Sequence, residues 1–179
     1  IMRTLSMTAL ALVSAMLFTP AHAGEAKVNF EKVDDYTDFE PANGLEERYQ
    51  KRLMEELTGY FNELSADLPD GQTLAVTVTD IDLTGRLEPT FGESTSNFIR
   101  VVRSIDFPTM DFNYSLTDSN GSVIKQEDVE LKDMSFDFDT MATKRSRSDD
   151  LYYEKKMLKD WFRKTFSEHV ASSQPAESA

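Results

Sequence analysis

LAVTVTDIDLTG, residues 74–85, sets the centre of a sheet and the face it buries. Leu74, Val76 and Val78 alternate with Ala75, Thr77 and Thr79, the period of a strand with one strongly apolar face. Ile81 and Leu83 then fall on the opposite parity. A phase flip of that kind needs a bulge or a strand end near Thr79-Asp80. Immediately upstream the period changes. Leu45, Tyr49, Leu53, Leu57, Phe61, Leu64 and Leu68 recur at spacings of three and four. They make one apolar stripe on a helix that must stop before Pro69. Asn43 is placed to cap its start, and Asp70-Gly71 turns the chain into the strand.

Working outward, Lys27 to Val33 alternates Val28 and Phe30 with polar residues and reads as a short strand. A helix between two strands is long enough for a parallel crossover, which should be right-handed. Downstream, residues 85–97 carry Gly85, Pro89 and Gly92 and read as loop, with a short extended piece at Phe98 to Val102. Met110, Phe112, Tyr114 and Leu116 alternate with polar residues. Asp118-Ser-Asn-Gly121 then turns the chain into a partner strand from Val123 to Leu131. SFDFDTMATKRSRS, residues 135–148, reads as irregular and exposed, or as a short edge strand in its SFDFDT part. Asp149 and Asp150 stand at a helix start, where the dipole favours acids. Leu151, Leu158, Trp161, Phe162 and Phe166 form the core stripe of that last helix. The expected fold is α+β: a two-layer sandwich in the order β-α-β-β-β-α, with a mixed sheet, helices on one face and water on the other.

The ends of the chain carry a different signal. Arg3, an apolar run from Leu5 to Phe18, Pro20 and Ala21-His22-Ala23 follow one another as the parts of a secretory signal peptide do. Residues 1–23 are therefore expected to be a leader cleaved after Ala23, which delivers the rest to the periplasm. Residues 24–170 suit one domain with one core. Residues 171–179 have no periodicity and read as a disordered tail. No later segment approaches the roughly 18 apolar residues of a membrane span, so the processed chain is expected to be soluble. The 19 basic and 32 acidic side chains leave a net charge of −13. A chain so acidic is a poor partner for phosphate backbones, which argues against nucleic acid.

Composition removes much catalytic machinery. The chain has no cysteine and two histidines, and His22 belongs to the expected leader. His169 sits in the last turn of the last helix, where the dipole favours a cation. Ser-His-Asp and Cys-His mechanisms lose their base or their nucleophile. No HExxH, P-loop or GxGxxG pattern occurs. Asp80 and Asp82 remain. On a regular strand they would share a face with α-carbons about 6.7 Å apart. Glycosidase carboxylates stand roughly 5–9.5 Å apart, but nothing apolar in the neighbouring sequence would raise one pKa. DIDLTGRLEPTF also resembles the start of a calcium loop, with Asp80, Asp82, Thr84, Gly85 and Glu88 at the ligand and turn positions. Phe91 stands where the bidentate glutamate should be, so any calcium site is weak. The simplest reading is that the two acids end a strand and discourage edge pairing.

Arg86, Arg100, Arg103, Lys144, Arg145 and Arg147 form a basic set in this acidic chain. Converging in space they would make an anion or partner patch; apart, they would pair locally with acids. Tyr36, Phe39, Phe91, Phe98, Phe107, Phe136 and Phe138 fall in or beside loops. Those left exposed would mark a protein interface.

In order, DYTDFEPANG, LPDGQTLAVTVTDIDLTG, RVVR, FPTMDFNYSLTDSNG, LKDM and YEKKMLKDWFRKTF resemble an uncharacterised family of small exported proteobacterial proteins, a domain of unknown function. The likeness runs over most of residues 28–166 and implies a Gram-negative, periplasmic home. It transfers no activity, cofactor or catalytic residue. The function expected is non-enzymatic binding, through an interface with a protein or envelope component and with no cofactor. The alternatives are a carboxylate-dependent hydrolase of envelope glycan and a weak calcium-binding module.

Overall fold

The computed structural model describes residues 24–90, 97–138 and 149–173. Its centre is a four-stranded sheet in the order β1-β2-β5-β6, from Glu25–Phe30 (β1), Thr73–Asp82 (β2), Thr109–Thr117 (β5) and Val123–Lys132 (β6). The helix α1, Glu46–Ser65, connects β1 to β2, which run parallel; the other pairings are antiparallel. The helix α2, Tyr152–Ser173, closes the chain. The sheet is mixed, its core side faces both helices, and the fold is α+β as expected.

The alternation read from the sequence explains the layering. Leu74, Val76, Val78, Met110, Phe112, Tyr114 and Leu116 are buried and meet the α1 stripe of Leu53, Leu57, Phe61 and Leu64. From α2 come Leu158, Trp161, Phe162 and Phe166. Trp161 is the hub of this layer, edge-on to Phe112 at 4.8 Å and to Tyr114 at 5.3 Å between ring centroids. Each such pair adds about 0.5–1.5 kcal/mol beyond area burial. The phase flip is a real register shift between Val78 and Asp80 opposite β5. It returns Ile81 to the core, fully buried, and leaves Asp80 and Asp82 together on the outer side.

Four expectations change. Residues 86–90 are not loop: Arg86–Thr90 (β3) pairs antiparallel with Asn97–Val101 (β4) in a separate two-stranded ribbon. A proline is tolerated on such an edge, where half the N–H groups face away from the partner strand. Asn43 does not cap α1, whose N-cap is Leu45 with no side-chain bond. Its amide instead donates to the Phe98 carbonyl at 2.7 Å, and its oxygen accepts from Phe98 N at 3.3 Å. The 135–148 stretch is neither a strand nor wholly exposed where described: Phe136 is fully buried in a 3-10 turn and meets Tyr153 at 4.9 Å between centroids. Finally, α2 kinks at Phe166, and the helical segment beyond it runs to Ser173, past the start of the expected tail. Residues 1–23 and 174–179 lie outside the described residues, as do 139–148. Among the described residues no helix is long and apolar enough to cross a membrane.

Candidate functional site

The bulge in β2 and the loop before α1 together set the fate of the two aspartates. Asp80 accepts hydrogen bonds from Thr37 N at 2.6 Å and Thr37 Oγ1 at 2.7 Å, so its carboxylate pins the loop. At the next residue, the Asp38 backbone bridges β2, donating to Ile81 O at 3.0 Å and accepting from Leu83 N at 3.1 Å. Asp82 therefore lies beneath a loop. Burial, then the nearby Asp38 and Asp80 charges, push its carboxyl above the ordinary range. That corrects the expectation that nothing would raise a pKa here: the desolvating loop is distant in sequence. Asp82 shares a small cleft of about 210 Å³ with Asp38, Arg86 and Asp106.

The calcium-loop geometry does not form. Residues 80–90 are two strands meeting at Gly85 rather than a loop folded around an ion. Thr84 bonds to Glu154, and Glu88 pairs with Arg103 at 2.6 Å. Phe91 lies outside the described residues. No group of three or more histidine, aspartate or glutamate side chains suited to a metal ion occurs among the described residues.

The three described arginines of the basic set, Arg86, Arg100 and Arg103, are each drawn to a carboxylate of their own. Arg86 pairs with Asp106 at 3.1 Å. Arg100 grips Asp38 with both terminal nitrogens, at 2.7 and 2.8 Å, and donates to the Gly85 and Glu40 carbonyls at 3.2 and 2.9 Å. This bidentate fork is the strong form of an ion pair, and it is mostly shielded from water. Arg100 thus ties the 38–40 loop to the ribbon. Gly85 lets the two approach: its φ is +90°, and a Cβ there would stand 2.9 Å from the Val101 carbonyl oxygen. Lys144, Arg145 and Arg147 lie outside the described residues.

What these ties build is a cleft of about 460 Å³ between the ribbon, the loop before α1 and the starts of both helices. Its lining includes Asn43, Tyr49, Thr84, Arg100, Asp150 and Tyr153. Arg52 reaches across to Asp150 at 2.7 Å and lies over the Tyr49 ring at 5.3 Å. Joined to Thr84 of this wall is Glu154, which sequence reasoning missed. It is fully buried; its Oε1 accepts from Thr84 N at 2.8 Å and Thr84 Oγ1 at 2.9 Å, while Oε2 has no partner. Burial raises its pKa, opposed by the two Thr84 bonds and by Arg100. The signal was present in the spacing, since residue 154 falls three after Leu151 and four before Leu158, on the apolar stripe.

Beside the cleft the chain exposes apolar surface. Phe98 is 42%, Ile99 50%, Val102 48% and Ile105 71% exposed, all within one segment of the ribbon and its exit. Of the loop aromatics, Phe39 and Phe136 are core, Tyr36 and Phe107 half-buried, and Phe98 and Phe138 exposed. Tyr36 donates to the Val78 carbonyl at 2.9 Å, and burial pushes its hydroxyl pKa up to about 12.

A family model described as Protein of unknown function (DUF3016) matches residues 24–164. No curated protein and no solved structure matches the chain.

Proposed function

The chain belongs to the DUF3016 family, whose description assigns no activity, and from its own geometry we propose that it is an exported, periplasmic binding protein of a Gram-negative cell. Export is supported by the order of Arg3, the apolar run and the Ala-His-Ala site. The binding role rests on one observation: the β3–β4 ribbon forms a sheet separate from the main one, and it and the chain leaving it carry four exposed apolar side chains, Phe98, Ile99, Val102 and Ile105. Arg100 ties the ribbon to the 38–40 loop and Asn43 ties Phe98 to the loop before α1, so part of the ordering a docked ribbon needs is already in place. Arg86, Arg100 and Arg103 are each paired with a carboxylate of the chain itself, so the apolar side chains are what this face offers most directly. The partner is a protein that offers apolar surface to the ribbon.

A photo-crosslinking residue placed at 99 or 102 in periplasmic protein should give a discrete adduct, lost when Phe98 and Ile105 are replaced by serine. The same residue at 77 or 126, on the polar sheet face, should give none. Equal adducts from both sets would remove this reading. A second reading, a carboxylate-dependent hydrolase of envelope glycan, is favoured by the raised Asp82 carboxyl beside Asp38 and Asp106. It requires turnover of cell-wall glycan that disappears in Asp82→Asn.

A further inference from the structure

Gly24, the residue that follows the expected cleavage point, is buried against the C-terminal end of α1. A Cβ at this position would run into the Ser65 carbonyl oxygen and stand 2.7 Å from Leu68 Cβ. The next two residues are fixed: Glu25 N donates to the Gln72 carbonyl at 3.1 Å, and Ala26 N to Asn62 Oδ1 at 3.0 Å. Ser65 and Gln72, which flank this point, each keep a buried side-chain acceptor without a partner, Ser65 Oγ and Gln72 Oε1. A buried unmet acceptor is costly, and two of them on the residues whose carbonyls approach Gly24 and receive Glu25 N point to a donor. The last turn of α1 also has no basic residue, although a helix C-terminus favours a cation.

We propose that the place where β1 meets the end of α1 is a built seat for the α-ammonium group of a processed chain that begins at Gly24. The proposal rests on the export reading. An endopeptidase hydrolyses the Ala23–Gly24 peptide bond. Water supplies the hydroxyl of the Ala23 carboxyl group and a hydrogen to the Gly24 nitrogen, which takes a further proton as ammonium. The ammonium presents three donors where the peptide had one. They meet Ser65 Oγ, Gln72 Oε1 and the carbonyl end of α1. Processing thus completes the fold: the leader's removal creates the cation that the helix end lacks. The family match, which also starts at residue 24, agrees with this boundary.

The test compares residues 24–179 with a free Gly24 amine, the same chain Nα-acetylated, and a Ser65→Ala/Gln72→Leu double variant in both forms. Acetylation keeps the backbone and removes the charge. It should lower Tm by about 2–4 °C and speed amide exchange in β1. The double variant should show no difference between free and acetylated forms. Equal Tm values for the two wild-type forms, or an acetylation effect that survives in the double variant, would overturn the seat. Separately, N-terminal mapping of periplasmic protein should find Gly24 first. Another N-terminus would sink the processing reading and leave the stability comparison to speak for itself.

Discussion

Glu154→Gln isolates the energetics of the buried carboxyl behind the cleft. The side chain is fully buried, with two hydrogen bonds on Oε1 and none on Oε2. Burial raises its pKa above the ordinary 4.5. The native state therefore holds a proton that the unfolded state has released, across the window from 4.5 to the raised value. With more protons bound in the native state, stability falls as pH rises, by about 1.4 kcal/mol per pH unit. Glutamine does not titrate. The gap between variant and wild type should therefore be flat below about pH 4, grow in favour of glutamine above it, and level off once the native carboxyl ionises. Two new buried N–H groups without acceptors cost the variant about 1–3 kcal/mol, but that offset is independent of pH. Urea unfolding followed through Trp161, the chain's single tryptophan and a nearly buried one, reads this directly. The midpoint difference should change by about 0.5–1.4 M per pH unit inside the window. Parallel stability curves from pH 4 to 8 would refute the reasoning. They would mean that Glu154 ionises in the folded protein as readily as in the unfolded one.

Thr84→Val removes one of the two donors to Glu154 and should cost about 1.5–3 kcal/mol, with the larger loss at pH 8, where the carboxylate form needs that donor. Arg100→Met should cost about 2–3 kcal/mol and raise amide exchange across 86–90 and 97–101, because the Asp38 fork and two carbonyl bonds go together; Arg100→Lys should rescue little, since lysine has no fork. Trp161→Ala should cost about 3–5 kcal/mol by chemical unfolding, as it empties the hub between Phe112, Tyr114 and Phe166. Millimolar calcium should leave Tm unchanged, because Asp80, Thr84 and Glu88 already have other partners; a rise of several degrees would reopen the calcium loop.

Repeating patterns carried the fold in plain view. The period of two in 74–79 and 110–116, and the threes and fours of 53–64 and 151–166, state which way each side chain faces, while Leu45, read as part of the stripe, is the exposed residue before α1. The flip at Thr79-Asp80 announced the bulge for the same reason. The β3 strand was hidden because Gly85 and Pro89 are local turn signals, while its strand identity comes from pairing with residues 97–101. Phe136 was hidden because one aromatic beside acids has no period; Tyr153, brought up by α2, makes a core around it, with Phe107 and Tyr152 packed against the pair.

The candidate site was less legible. Its acids and arginines were visible as residue types, but their roles depend on meetings across the chain. Arg100 finds Asp38 across 62 positions, and Glu154 finds Thr84 across 70. Read alone, Arg100 belonged to a basic set and Thr84 to a calcium loop; folded, both are structural fasteners around a cleft. Local periods and composition fix the layers, the strand parity and the acidic, thiol-free chemistry, because these follow from backbone geometry one residue at a time. Tertiary structure alone decided which charges are spent on one another, which carboxyl is stripped of water and which apolar side chains stay wet. Those outcomes are set by distance and desolvation between residues that no local period connects.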